Sequence, residues 1–131
     1  MIDPAFLTLD EVLALHADRI DRYGGSSGLR DLGGLQSALG MPSATFDGQF
    51  LHATLAEMAA AYLFHVSQAH AFIDGNKRVA LATALAFLEI NDHELIADPD
   101  DLYDHVMGVA SGTTTKADVA VFFAKHLRAL D

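Results

Sequence analysis

The segment at residues 51–69 constrains the fold most strongly, because it is apolar on nearly every side at helical spacing. Its regularly spaced apolar residues are Leu55, Met58, Ala59, Tyr62, Leu63 and Val66. A helix without a polar face is stable only when other elements surround it. A second run of the same kind begins at Asn76 or Lys77 and ends near Asn91. The sequence therefore predicts two central helices in a helical bundle.

Helix-capping signals predict four further helices around these two. The capping signals are the pairs Thr8–Glu11 and Thr115–Asp118 and the single residues Asp31 and Asp98. The expected helices are residues 8–23, 31–39, 98–111 and 115–130. Residues 41–50 carry turn formers and no helical period, which predicts an exposed loop or a short extended flap. Because strand signals are weak throughout, we predict an all-α fold of about six helices in a single domain, residues 1–131.

The balance of charge excludes several classes of partner. The chain has 8 Lys and Arg against 18 Asp and Glu, a net charge of −10. Such a surface repels phosphate backbones and anionic lipids, so neither direct nucleic-acid binding nor membrane docking is expected. The absence of cysteine excludes disulfides, thiol chemistry and cysteine-based metal sites. Because the sequence shows no secretory signal and no uninterrupted apolar run of about 18 residues, we predict a soluble, cytoplasmic protein.

The stretch HAFIDGNKR at residues 70–78 concentrates polar residues between the two central helices. Gly75 followed by Asn76 indicates a tight turn that enters a helix, and a helix start presents unpaired N–H groups with a partial positive charge. Successive N–H groups in such a turn can form a nest for phosphate oxygens. Lys77 and Arg78 add cations at the same end, and the arginine fork can grip phosphate in two places. These four residues are candidate phosphate ligands.

Further side chains of the same stretch add the other parts of a transfer site. Asp74 is a suitable ligand for Mg²⁺ beside bound phosphates, because protein-bound Mg²⁺ usually combines one or two carboxylates with phosphate oxygens and water. His70 closes the preceding helix, and its ordinary pKa of about 6.5 suits a general base near neutral pH. Phe72 is expected to point into the core and hold the loop. A base, a metal ligand and a phosphate nest together predict phosphoryl or nucleotidyl transfer.

This stretch resembles the motif of the Fic/Doc family, H-x-F-x-(D/E)-(A/G)-N-(G/K)-R. Every fixed position of the motif is matched, by His70, Phe72, Asp74, Gly75, Asn76, Lys77 and Arg78. Residues 15–39 upstream are similar to the N-terminal part of Doc (death on curing) toxins, and residues 79–92 are similar to the Doc helix after the motif. Ile73 and Gly75 depart from the Doc prototype, which has Asn and Ala there, without removing a role.

The resemblance implies a role for each motif residue. His70 would deprotonate a target hydroxyl, Asp74 would hold Mg²⁺, and residues 75–78 would bind the phosphates of ATP. In typical Fic proteins the position of Lys77 is Gly and the target receives AMP, whereas Doc toxins share the lysine and transfer the terminal phosphoryl group. The Doc-type target is a threonine of elongation factor Tu, and its phosphorylation stops translation. The resemblance therefore favours a protein kinase that is the toxin of a toxin–antitoxin module.

Several alternatives remain open on the sequence. The chain lacks the inhibitory segment (S/T)-x-x-x-E-(G/N) that Fic proteins often carry, so restraint is expected from a separate antitoxin. A Fic-type AMP transferase and a catalytically silent partner-binding module are the other function classes. Asp74 could instead cap the following helix, and His65, His70 and Asp74 could together hold a metal.

The remaining histidines and three arginines are expected to have structural roles. His65 is predicted to be a hydrogen-bonded core residue. Surface or capping positions are predicted for His16, His52, His93, His105 and His126. Surface ion pairs are expected for Arg19, Arg22 and Arg30, with a place along a target groove as the alternative.

Overall fold

The computed structural model describes residues 3–130, and within them the chain forms six α-helices and four short β-strands. The helices are Leu9–Tyr23 (α1), Leu32–Gly40 (α2), Leu55–Ala69 (α3), Asn76–Ile90 (α4), Pro99–Ser111 (α5) and Lys116–His126 (α6). The strands are Thr45–Phe46 (β1), Gln49–Phe50 (β2), His93–Leu95 (β3) and Leu127–Ala129 (β4). The prediction of an all-α fold with about six helices is confirmed. None of the helices in this part of the chain is both long and apolar enough to cross a membrane.

Helix α3 lies at the centre of the bundle, as its apolar pattern predicts. Its residues 58–63 are fully shielded from solvent, and it packs most extensively against α4 and α6, with further contacts to α2 and α5. The buried Tyr62 hydroxyl accepts a hydrogen bond from the Leu7 N–H at 3.1 Å, so its polar atom is satisfied. Because burying one large apolar side chain contributes roughly 1.5–3 kcal/mol, this helix anchors the core.

Side-chain caps set where the helices begin. The predicted caps all form, at Thr8, Asp31, Asp98 and Thr115. Helix α3 begins at Leu55 rather than at residue 51, because the Thr54 hydroxyl accepts a hydrogen bond from the Glu57 N–H at 3.1 Å. Residues 51–54 instead lead out of strand β2.

Residues 41–50 contain the predicted flap, which is a short β-hairpin. Strand β1 pairs antiparallel with β2, and Asp47 and Gly48 form the turn with φ angles of 55° and 80°. Positive φ at both turn residues matches the twist of a two-residue hairpin. Phe46 on this hairpin is 76% exposed, so the flap presents an apolar side chain to solvent.

The end of the last helix differs from the prediction. Helix α6 ends at His126, and strand β4 follows and pairs antiparallel with β3. The prediction was wrong because Leu127 and Leu130 continue the apolar spacing of α6, whereas the edge of β3 offers backbone hydrogen-bond partners that spacing cannot reveal. An ion pair between Arg128 and Glu94 also joins the two strands.

The segment between α1 and α2 lies across the loop between α3 and α4. The Ile73 N–H donates to the Gly28 carbonyl at 3.1 Å. The N–H groups of Arg30 and Asp31 both donate to the Ala71 carbonyl, at 2.7 and 3.0 Å. These hydrogen bonds place the N-terminal part of the chain directly against the HAFIDGNKR stretch.

His65 on α3 is hydrogen-bonded, as predicted, but its position is half-buried and not in the core. Its Nε2 atom accepts from the Lys116 ammonium group at 3.1 Å. Burial, followed by the positive charge of Lys116, lowers the pKa of His65 to about 4. The imidazole is therefore neutral in the folded protein near neutral pH.

We expect acid to destabilise the fold partly through His65. A histidine in the unfolded chain titrates near pH 6.5, so between about pH 6.5 and pH 4 the unfolded state binds a proton that the folded state does not. The stabilisation is complete above this window and is lost as the pH falls through it. The free energy of unfolding, measured in urea, should fall between about pH 7 and about pH 5 in both proteins. After allowance for solvent screening, the fall should be about 1 kcal/mol larger in the wild type than in His65→Gln. Equal losses in the two proteins would contradict this assignment.

Candidate active site

The candidate base His70 lies at the end of α3 in a strained backbone conformation. Its φ of 46° and ψ of 41° are left-handed, which costs a non-glycine residue about 1 kcal/mol or more. The Arg30 guanidinium donates from Nη2 to the His70 carbonyl at 2.6 Å, so a contact from outside the helix supports this conformation. The imidazole is exposed, which leaves it accessible to a hydroxyl group of another protein.

Phe72 and Asn76 fix the shape of the loop that follows. Phe72 is buried in the core. The Asn76 side chain accepts from the Phe72 N–H at 3.0 Å and donates to the Phe72 carbonyl at 2.9 Å. Because the carboxamide is occupied in this way, an anion would meet Asn76 through its backbone N–H group.

The Asp74 carboxylate is exposed and receives two backbone hydrogen bonds. Its Oδ2 atom accepts from the Ser26 N–H at 3.2 Å, and its Oδ1 atom accepts from the Gly75 N–H at 2.8 Å. These hydrogen bonds, Ser26 first, hold the pKa of the Asp74 carboxyl below its ordinary value, so it is ionised at neutral pH. The alternative of Asp74 as the N-cap is wrong, because Gly75 occupies the N-cap position of α4.

The start of α4 has the features of an anion site. Gly75 adopts the left-handed region with φ 78°, and within residues 3–130 no side chain caps the N–H groups of the first turn. That turn also lacks acidic residues, while Lys77 is exposed and Arg78 is half-buried beside it. Residues 73–78 line a cavity of about 220 Å³. The unpaired N–H groups and the two cations therefore surround a space that an anion can enter.

The Arg78 guanidinium lies beside the Asp74 carboxylate, next to Gly25. A Cβ atom at Gly25 would lie 2.5 Å from Asp74 Oδ2 and 3.0 Å from Arg78 Nη2. A side chain at position 25 would therefore be too close to both groups. The φ of 115° at Gly25 also favours glycine. The positive charge of Arg78 adds, after the backbone hydrogen bonds, to the lowering of the Asp74 pKa.

His16 was missed as a member of this site. It was expected at the surface, but it is only 4% exposed, and its ring stacks on Phe72 with centroids 3.8 Å apart. Its Nε2 atom donates to the Asp74 carbonyl at 2.7 Å. The sequence did carry one signal of this burial. Val12 and His16 are four residues apart, which places both on one face of α1, and they are the two buried residues of that helix.

The surface position predicted for His52 is also wrong, because this residue is buried.

The arginines on the N-terminal side divide between two environments. Arg22 and Arg19 contact Asp18 at 2.9 and 3.7 Å, as the expected surface ion pairs. Arg30 differs, because it binds the backbone of His70 instead of a carboxylate. The carbonyl group it contacts belongs to the strained residue, so Arg30 is part of the site.

A metal site made of protein ligands alone is not supported. Within residues 3–130 no group of three or more histidine or acidic side chains could hold a metal ion. The alternative site of His65, His70 and Asp74 fails because the His65 Nε2 atom contacts Lys116. The arrangement instead combines one exposed imidazole, one ionised carboxylate and an anion cavity, which together suit proton transfer beside bound phosphates.

Comparisons of the sequence with known proteins identify the family of this chain. The sequence pattern of the Fic/DOC family matches residues 6–88, which include the whole HAFIDGNKR stretch. The chain is 36% identical over 111 residues to the protein kinase Doc of Escherichia phage P1, covering 85% of this chain and 86% of that protein. It is 44% identical over 78 residues to the toxin Doc of Mycolicibacterium smegmatis, covering 60% of each. The chain therefore belongs to the Fic/DOC family, and the resemblance seen in its motif is confirmed.

Proposed function

We propose that this protein is a Doc-type toxin that transfers the γ-phosphoryl group of ATP to a hydroxyl group of another protein. The observation that carries the proposal is the arrangement within residues 70–78. There, the ionised carboxylate of Asp74 and two cations line a cavity at an uncapped helix start, and the exposed His70 ends the helix that precedes this loop. The names of the two relatives support the proposal of a toxin with kinase activity, since one is named a protein kinase and the other a toxin.

His70 acts as the general base in this proposal. Its neutral imidazole accepts the proton of the target hydroxyl, and the hydroxyl oxygen forms a bond to the γ-phosphorus of ATP. The bond from the γ-phosphorus to the oxygen bridging it to the β-phosphate breaks, and ADP leaves with that electron pair. The proton on His70 then passes to solvent.

The start of α4 holds the phosphates in this proposal. The backbone N–H groups of residues 76–78 and the guanidinium of Arg78 provide donors and positive charge where the transferred group carries its negative charge. Lys77 adds a further cation. The family resemblance associates a lysine at this position with phosphoryl transfer, which is why we favour a kinase over an AMP transferase.

The donor set at Asp74 fits a Mg²⁺ ion that is shared with ATP. Each carboxylate oxygen accepts one backbone N–H and keeps a lone pair for a metal. A single protein carboxylate is the usual arrangement where phosphate oxygens and water complete the coordination of Mg²⁺. When bound, the ion would neutralise part of the negative charge of the phosphates. Asp74 is then the residue that holds it.

Elongation factor Tu is the acceptor that the family resemblance suggests, which would place the activity in the cytoplasm. We further propose that a cognate antitoxin restrains the enzyme, since an inhibitory segment of the Fic type is absent from the sequence. The net charge of −10 favours a basic segment in whichever partner docks.

We expect the His70→Ala variant to lose transfer and keep nucleotide binding. The general base typically contributes 10²–10⁴-fold to the rate, roughly, so the rate should fall by at least about a hundredfold while the Kd for Mg·ATP changes little. Intact-protein mass spectrometry of elongation factor Tu, incubated with the protein and Mg·ATP, would show a gain of one phosphate that disappears with the variant.

His93→Ala is the matched control for that experiment, because His93 lies beyond the opposite end of the 15-residue helix α4 from the site. It should leave the rate unchanged. A gain of one AMP would instead identify an AMP transferase. Full transfer by His70→Ala would remove His70 as the base, and failure to bind Mg·ATP would support a silent binding module.

Gly25→Ala should weaken Mg·ATP binding through Asp74. The new methyl group would lie 2.5 Å from Asp74 Oδ2 and displace the carboxylate, so we expect the Kd to rise by about tenfold or more. Gly24→Ala is the control, because Gly24 also has a positive φ, 82°, but nothing within 4 Å of the added atom. Isothermal titration calorimetry on both variants would measure the difference. Equal effects would show that backbone strain alone is responsible.

A further inference from the structure

We infer that His16 is a positioning residue, which orients the Asp74–Gly75 peptide so that the Gly75 N–H faces the Asp74 carboxylate and holds it at the start of α4. The inference rests on the proposed function, because it assumes that phosphates bind at the start of α4. His16 is 58 positions away from Asp74 in sequence, yet it forms a hydrogen bond from α1 to this peptide.

The hydrogen bond from His16 fixes the direction of one peptide plane. A carbonyl oxygen can only accept, so the His16 Nε2 atom carries the proton in this contact. In a trans peptide the C=O group and the following N–H group point in opposite directions. Because the Asp74 carbonyl is held 2.7 Å from His16, the Gly75 N–H points away from α1, where it donates to Asp74 Oδ1 at 2.8 Å.

The peptide requires such a restraint because a glycine follows it. Gly75 adopts φ 78°, and a glycine enters and leaves this region at little steric cost. If the peptide plane rotated by half a turn, a carbonyl oxygen would replace the N–H group, and it would repel the Asp74 carboxylate that the N–H now holds. Other side chains hold the backbone at positions 70 and 72. Among residues 3–130, His16 is the side chain that binds the Asp74 carbonyl.

Packing keeps the His16 ring in the orientation that this hydrogen bond needs. The ring lies nearly parallel to Phe72, with an interplanar angle of 13°, and both side chains are buried. Its Nε2 atom would also lie 3.5 Å from a Cβ atom at Gly75, so the ring closely adjoins the turn. Phe72 therefore holds the ring of His16, and the ring in turn holds the peptide.

Three substitutions separate the hydrogen bond from the packing. His16→Gln places an amide N–H close to the position of Nε2 and can still reach the carbonyl. His16→Asn is equally polar but one methylene shorter, so its amide cannot reach. His16→Leu fills a similar volume without any donor. The Gln and Asn variants form the matched pair, which remains informative even if the Leu variant folds poorly.

The direction of the Gly75 N–H bond is measurable in the free protein by its residual dipolar coupling. We expect this coupling to change in the Asn and Leu variants and to stay near the wild-type value in the Gln variant, with couplings in α5 and α6 unaltered. The Kd for Mg·ATP should rise by about tenfold in the Asn and Leu variants, as for one lost hydrogen bond, while the KM for the acceptor protein is unchanged.

The outcomes separate this inference from the proposed function. If the wild type does not bind Mg·ATP, the proposed function is wrong, and the Gly75 coupling still decides whether His16 orients the peptide. Wild-type couplings in the Asn and Leu variants would overturn the inference. A Gln variant whose coupling and Mg·ATP affinity change as much as those of the Asn variant would overturn it as well.

Discussion

The apolar surface of α3 is the constraint on which the rest of this structure depends. Because residues 58–63 are shielded on every side, helices α2, α4, α5 and α6 must pack around them. The loop that follows α3 therefore begins at a rigidly held residue, His70. Its strained backbone lies between the core and the segment that contains Arg30. A catalytic side chain must be held rigidly in this way to keep its position.

The N-terminal part of the chain completes the site from outside the motif. Arg30 binds the backbone of His70, the Ser26 N–H binds the Asp74 carboxylate, and His16 binds the Asp74 carbonyl. The family match at residues 6–88 spans α1 to nearly the end of α4, which are the elements that supply these contacts. Helices α5 and α6 lie beyond the match and mainly enclose α3. The nine-residue motif therefore depends on residues far from it in sequence for its geometry.

Features that depend on neighbours within about four residues were predictable from the sequence. The helix caps, the flap and the central helices belong to this group, because capping and periodicity are local. Strand β4 was not predictable, since its partner lies 34 residues earlier at the Glu94–Arg128 pair. The burial of His16 was missed for the same reason, because it is explained only by contacts with Phe72 and Asp74. The motif indicated the candidate residues of the site, but not the distant residues whose hydrogen bonds hold their backbone in place.

Locating the metal–nucleotide complex on the protein tests most directly whether residues 70–78 bind Mg·ATP. Mn²⁺ is a paramagnetic substitute for Mg²⁺, and Mn·ATP added to ¹⁵N-labelled protein broadens the amide signals nearest to the ion. We expect the broadening to be strongest from Asp74 to Arg78, and we expect Asp74→Asn to abolish it there. Broadening centred elsewhere, for example around Asp101 and Asp118 at the α5–α6 groove, would contradict the assignment of residues 70–78 as a phosphoryl-transfer site.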